Sequence, residues 1–191
     1  MVCGPTNRHG HPLSRFPSLA NDGLASGDKP QQIPMTIPAN IAKFWESYCA
    51  SVGNVDTARF YEAFYFSDNE EHANSLAKLV LAGAKRATTT AVWSFAAQGK
   101  RLPVPGDLSV VTDWAGTPLC VIETTRIEIM PFCDVSAEFA ALEGEGDGSL
   151  GCWQQVHTNY FSRECARAGK VFTESMLVAC ERFNVVFQAP A

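Results

Sequence analysis

Residues 81–90 read Leu-Ala-Gly-Ala-Lys-Arg-Ala-Thr-Thr-Thr. A lysine and an arginine follow one residue after a helix-ending glycine and lead into a threonine-rich stretch. Lys85 and Thr88 are three apart, so across an irregular strand entrance they can converge on one pocket. A lysine there supplies charge to an oxyanion, or acts as a base where burial lowers its pKa. The plainer alternative is that Lys85 complements the C-terminus of the preceding helix and the threonines only favour strand.

Two further segments carry chemistry. Leu142-Glu-Gly-Glu-Gly-Asp-Gly148 sets three carboxylates in a glycine-rich loop, which can hold a divalent cation or simply be a solvated acidic loop. Its spacing lacks the twelfth-position glutamate of an EF-hand. Trp153, His157 and Tyr160 share one helical face at spacings of four and three. They can grip a base by stacking, or they are core residues with His157 as a hydrogen-bonded partner. Phosphate-binding loop, dinucleotide fingerprint, nucleophile elbow and HExxH are all missing. Neither His72 nor His157 has a second ligand at metal spacing, so no structural metal site is expected.

The surrounding pattern predicts the elements that must position these residues. From Pro38 a helix turns Ile41, Phe44, Trp45 and Tyr48 to one face. A second short helix is expected to turn Phe60 and Phe64 inward. Ser67-Asp-Asn-Glu70 has the form of a capping box for a helix ending at Gly83, with Leu76, Leu79 and Val80 inward. Strands are expected over 86–93, 108–113, 119–129 and 176–187. Asp134 is expected to cap a helix through Leu142, and Ser149 one ending near Gly169. Helices inserted between strands predict an α+β fold with a small barrel-like sheet.

The chain has 191 residues, 46% of them hydrophobic and 18% charged, enough for one packed core. Its net charge of -5 argues against a protein that coats nucleic acid non-specifically. No apolar run approaches the roughly 18 residues of a membrane span. Seven cysteines without a CxxC pair point to reduced core thiols and a cytoplasmic setting. Residues 1–38, rich in Pro, Gly, Ser and Asn, are expected to be a disordered tail. Met35 is an alternative start, residues 1–34 are expected to be dispensable, and His9 and His11 are expected to do nothing.

Several motifs in this order resemble the ASCH family, small proteins related to the PUA fold and associated with RNA. They are Phe66-Ser-Asp68; Gly83, Lys85 and Thr88 as GxKxxT; Pro105-Gly106-Asp107; and Val121-Ile-Glu-Thr-Thr125. Glu143-Gly-Glu-Gly-Asp147, Trp153 with His157, Phe161-Ser-Arg-Glu164 and Cys180-Glu-Arg-Phe183 follow. The resemblance implies a small PUA-like β-barrel with helices packed around it over residues 66–187, preceded by a helical extension over 39–65. Some members are similar to amidohydrolases that deacylate modified cytidines, with a lysine, a threonine and a glutamate as the catalytic set. Those roles carry over to Lys85, Thr88 and Glu143, with Glu145 as a rival. Longer members resemble this chain more in length, and some of them look like ribonucleases. The resemblance thus implies a hydrolase of single-stranded RNA, an amidohydrolase of N4-acylated cytidine, or a non-catalytic RNA-binding module. Arg86, Thr89, Glu145, Trp153, His157, Tyr160 and Ser162 are expected to contact substrate, with Lys100 and Arg101 steering phosphate. The partner is RNA or a modified nucleoside, and a divalent cation is the one cofactor considered.

Overall fold

The structure is a computed structural model that describes residues 37–53 and 55–188. The expectations for the tail, for Met35 and for His9 and His11 lie outside the described residues. Helix α1 (Ala39–Val52) starts after Pro38, whose fixed φ suits that position, and buries Ile41, Trp45 and Tyr48. They pack on Phe60, Leu108, Val110 and Val121. The short helix expected around Phe60 and Phe64 is instead a 3-10 turn, Thr57–Arg59, leading into strand β1 (Phe60–Phe64). Strand β1 lies parallel to β3 (Leu108–Thr112), with Phe60 opposite Leu108. Spacing of four between two phenylalanines fits either element, and this long-range pairing decides it.

Helix α2 (Glu70–Leu81) is capped by Asn69, whose side chain accepts the His72 backbone N–H. The expected cap, Ser67, instead holds a positive φ of 66° two residues earlier. Strand β2 (Ala87–Ala91) stops two residues before the expected end, and Val92–Ala97 forms the short helix α3. Strand β4 (Pro118–Pro131) and strand β5 (Leu177–Gln188) make a long antiparallel ribbon. Helix α4 (Ala137–Glu143) is capped by Ser136 rather than by Asp134, which ends a 3-10 turn. Helix α5 (Leu150–Arg167) is capped by Ser149, which accepts the Cys152 N–H.

The result is an α+β fold around a mixed five-stranded sheet of order β1-β3-β4-β5-β2. Closure into a barrel would need a ladder between β1 and β2, and the described residues form none. These two edges therefore stay available to wall a cleft. Helices α4 and α5 pack Phe139, Trp153 and Phe161 against Ala87, Ala91, Val178 and Cys180. Helix α2 sets Ala77 and Val80 on Val111, Cys120, Ile122 and Phe183. Among the described residues, no helix is long and apolar enough to cross a membrane.

Candidate functional site

Two helix ends meet at the cleft. After α2, Gly83 takes a φ of 73°, and the N–H groups of Ala84 and Lys85 both bond to the Leu79 carbonyl. After α4, Gly144 takes a φ of 67° directly against that turn, where a Cβ would lie 2.4 Å from the Ala84 carbonyl oxygen. Only glycine allows this approach. The Arg86 N–H donates to the Leu142 carbonyl at 2.8 Å, so the two segments are joined by backbone. This aims Lys85 and Glu143, both only 1% exposed, at each other.

The Lys85 ammonium donates to Glu143 Oε2 and to Glu145 Oε1, each at 2.7 Å. Glu143 Oε1 accepts the Thr89 hydroxyl at 2.5 Å and the Trp153 indole N–H at 2.8 Å. His157 stacks on Trp153 with ring centroids 4.2 Å apart. Its Nδ1 donates to the Trp153 carbonyl at 3.0 Å, because a carbonyl can only accept, and its Nε2 stands 3.5 Å from Glu143 Oε1. The Phe66 ring lies 5.3 Å from the Lys85 ammonium.

Burial alone would push the Lys85 pKa down. The charges and hydrogen bonds of Glu143 and Glu145 outweigh it and hold Lys85 above the ordinary lysine range. Burial likewise works to raise Glu143, but Lys85, His157 and the Thr89 hydroxyl bring it below the ordinary carboxylate range. The resting centre is therefore an ammonium between two carboxylates. It opens on a cavity of about 510 Å³, within the range of small-molecule sites.

A family model described as the ASCH domain matches residues 62–187, from β1 to β5, and takes in this whole centre. The chain belongs to the ASCH domain family. The crystal structure of an ASCH domain from Lactobacillus crispatus JV V101 is 40% identical, with a TM-score of 0.75 over 81% of this chain and 98% of that one. Protein EF3133 from Enterococcus faecalis V583 is 30% identical, with a TM-score of 0.71 over 78% of this chain and 89% of that one. No curated protein matches the chain in sequence.

Within this ASCH fold, Lys85, Thr88, Thr89, Glu143, Glu145, His157 and Tyr160 all line the cavity. Trp153 is buried behind it and reaches it through Glu143 and His157. Thr88 and Thr89 differ: on a strand, neighbouring side chains leave opposite faces. It is Thr89 that bonds Glu143, although the family motif falls on Thr88. Arg86 and Ser162, both expected to contact substrate, are exposed and outside the cavity wall. Arg86 sits beyond the α4 junction, and Ser162 lies about 100° around α5 from buried Phe161. Lys100 and Arg101 are paired with Glu62 and Asp107. Arg163, which the sequence offered only as part of the Phe161-Ser-Arg-Glu164 motif, lines the rim. It lies on the helix face of Asn159 and is tied to Asp68 at 3.0 Å.

Glu143, Glu145 and His157 could hold a metal ion, since one ligand atom from each lies within 4.8 Å of the others. The Lys85 ammonium already sits at 2.7 Å from both carboxylates. A divalent ion on the same oxygens would stand against that positive charge, so the residues do not fit a metal while Lys85 is protonated.

Proposed function

We propose that this ASCH protein hydrolyses an amide on a neutral, nucleoside-sized substrate, as in removal of the acyl group from an N4-acylated cytidine. The supporting observation is the Lys85 ammonium held between Glu143 and Glu145 on the wall of a cleft-like cavity. One positive and two negative groups leave the centre with surplus negative charge. A phosphate about 4 Å from an uncompensated carboxylate meets about 4 kcal/mol of repulsion at the effective dielectric of such a site. Of the nearby cations, Lys100 and Arg101 are each paired with a carboxylate, and Arg163 is held on Asp68 together with Arg167. A neutral substrate is therefore favoured over an RNA strand.

In this scheme Lys85 spends two of its three N–H donors on the glutamates and keeps one for the acyl oxygen. Glu145, 16% exposed where Glu143 is 1%, takes a proton from water. The water oxygen attacks the acyl carbon, and Lys85 stabilises the resulting oxyanion. Collapse breaks the C–N bond, and the leaving amine receives the proton from Glu145. The products are a carboxylic acid and the free amine. Glu143, saturated by Lys85, Thr89 and Trp153, keeps Lys85 charged and aimed. Thr88 has no bond to Lys85 or Glu143, so the nucleophile is water.

Metal-assisted RNA cleavage is the second reading: it requires Lys85 to give up its proton, after which Glu143, Glu145 and His157 stand close enough together to hold an ion. The two separate in one experiment. N4-acetylcytidine and a short single-stranded RNA are each incubated with the protein, with and without EDTA, and the products weighed by mass spectrometry. The amidohydrolase reading expects cytidine and acetate in both conditions and intact RNA. Metal-dependent shortening of the RNA with untouched N4-acetylcytidine would replace it by the second reading.

A further inference from the structure

Beside the catalytic cavity lies a second one of about 190 Å³. That is room for about six water molecules at roughly 30 Å³ each. Both cavities are walled by Phe64, Tyr65, Thr88 and Thr90. The smaller one adds Glu62, Glu181, Lys100 and Gln98. Thr88 and Glu181 are direct partners in the β2–β5 ladder, so their side chains leave the sheet on the same face.

The hydrogen-bonding groups of this second cavity are unevenly used. Lys100 is held by Glu62 Oε2 at 2.6 Å, and the Ser94 hydroxyl donates to the Ala91 carbonyl. The Thr124 hydroxyl donates to Glu181 Oε1 at 2.5 Å. The second oxygens of Glu62 and Glu181 have no side-chain donor among the described residues. What remains is a surplus of acceptors without a free cation, which suits a neutral group bearing hydroxyl donors and repels a phosphate. Burial, with Glu62 and Asp107 adding to it against the Thr124 bond, raises the Glu181 pKa to about 7.

We propose that this second cavity is a sugar subsite, which takes the ribose of a nucleoside with its 2′- and 3′-hydroxyls donating to Glu181 and Glu62. The proposal rests on the amidohydrolase reading only for what occupies the first cavity, where the base reaches Lys85. It accounts for the position of Thr88 at the junction of the two.

The test is calorimetric binding of cytidine and 2′,3′-dideoxycytidine to the full chain, alongside turnover of N4-acetylcytidine. At pH 8, above the Glu181 pKa of about 7, cytidine is expected to bind at least about tenfold tighter than the dideoxy analogue, the scale of one hydrogen bond to a charged group. Glu181→Ala is expected to cost cytidine about tenfold and to leave the dideoxy analogue within about twofold. Glu181→Gln, which keeps the shape and one acceptor, should fall between and guards against a folding defect in the alanine variant. Equal affinity of the wild type for both ligands overturns the subsite, as does equal loss of both in Glu181→Ala or no cytidine binding at all. Turnover of N4-acetylcytidine without sugar discrimination removes the subsite and keeps the hydrolase. Discrimination without turnover keeps the subsite and removes the hydrolase.

Discussion

Glu143 and Glu181 are both glutamates on the walls of neighbouring cavities in one cleft, one at the end of a helix and one on a strand, and their surroundings move their pKa values in opposite directions. Glu143 is the more deeply buried, yet it stays ionised because Lys85 is 2.7 Å away and Thr89 and Trp153 supply further donors. Glu181 has a single hydroxyl donor and no cation in contact, and its pKa rises to about 7. Depth of burial therefore does not decide the charge of a carboxylate here; the partner does. One end of the cleft is a fixed array of charges, suited to polarising an amide. The other is a set of half-used acceptors, suited to a neutral polyol.

The sharpest way to break that contrast is to remove the cation. Lys85→Met should leave two facing carboxylates buried and lower stability by about 3–5 kcal/mol. Denaturant unfolding measures this. Adding Glu143→Gln to it should recover most of the loss, because the fully buried charge is gone and the remaining one, Glu145, is partly exposed.

The second test is pH. The folded pKa of Glu181 lies above its unfolded value, so the folded chain holds the extra proton between the two. Its stabilising contribution is complete below the unfolded pKa and is lost as pH rises through about 7. Between pH 5 and 8 the wild type should lose about 2–3 kcal/mol from this group that Glu181→Gln does not lose. Glu143 works in the opposite sense: its contribution is present above its unfolded pKa and is lost as pH falls through its lowered folded pKa. Thermal melts of wild type and Glu181→Gln across that window check the sign.

The smallest effect separates two neighbouring threonines. Thr89→Val removes a donor to Glu143 and should cost about 1–2 kcal/mol. Thr88→Val faces open cavity and should change stability by less than about 0.5 kcal/mol. Equal losses on chemical denaturation would mean that the two side chains do not divide as their strand faces require.

Local chemistry made much of this legible in the sequence. Ser149 capping α5 and Gly83 ending α2 are signals carried within a few residues. The caps at Asn69 and Ser136 were misjudged because two competent capping residues stood close together each time, and only chain direction chose between them. Strand β1 depends on a parallel partner 48 residues away, beyond any local pattern. Lys85 and Glu143 came together through the family resemblance. What holds them, the contact of Gly144 with Ala84, is a tertiary fact with no sequence signal of its own. Glu181 stood within the Cys180-Glu-Arg-Phe183 motif but carried no signal of a role: a glutamate in a strand is ordinary until Thr124 and the cavity are seen beside it.

The central claim is that a charged Lys85, held between Glu143 and Glu145, polarises a neutral amide without a metal. Its most direct measurement is the rate of acetate release from N4-acetylcytidine in EDTA, for the wild type and for the folded Lys85→Met/Glu143→Gln variant. The account predicts steady release by the wild type and at least about a hundredfold less by the variant, the scale of a positioned acid–base group. No release by the wild type, or an unchanged rate in the variant, would contradict it.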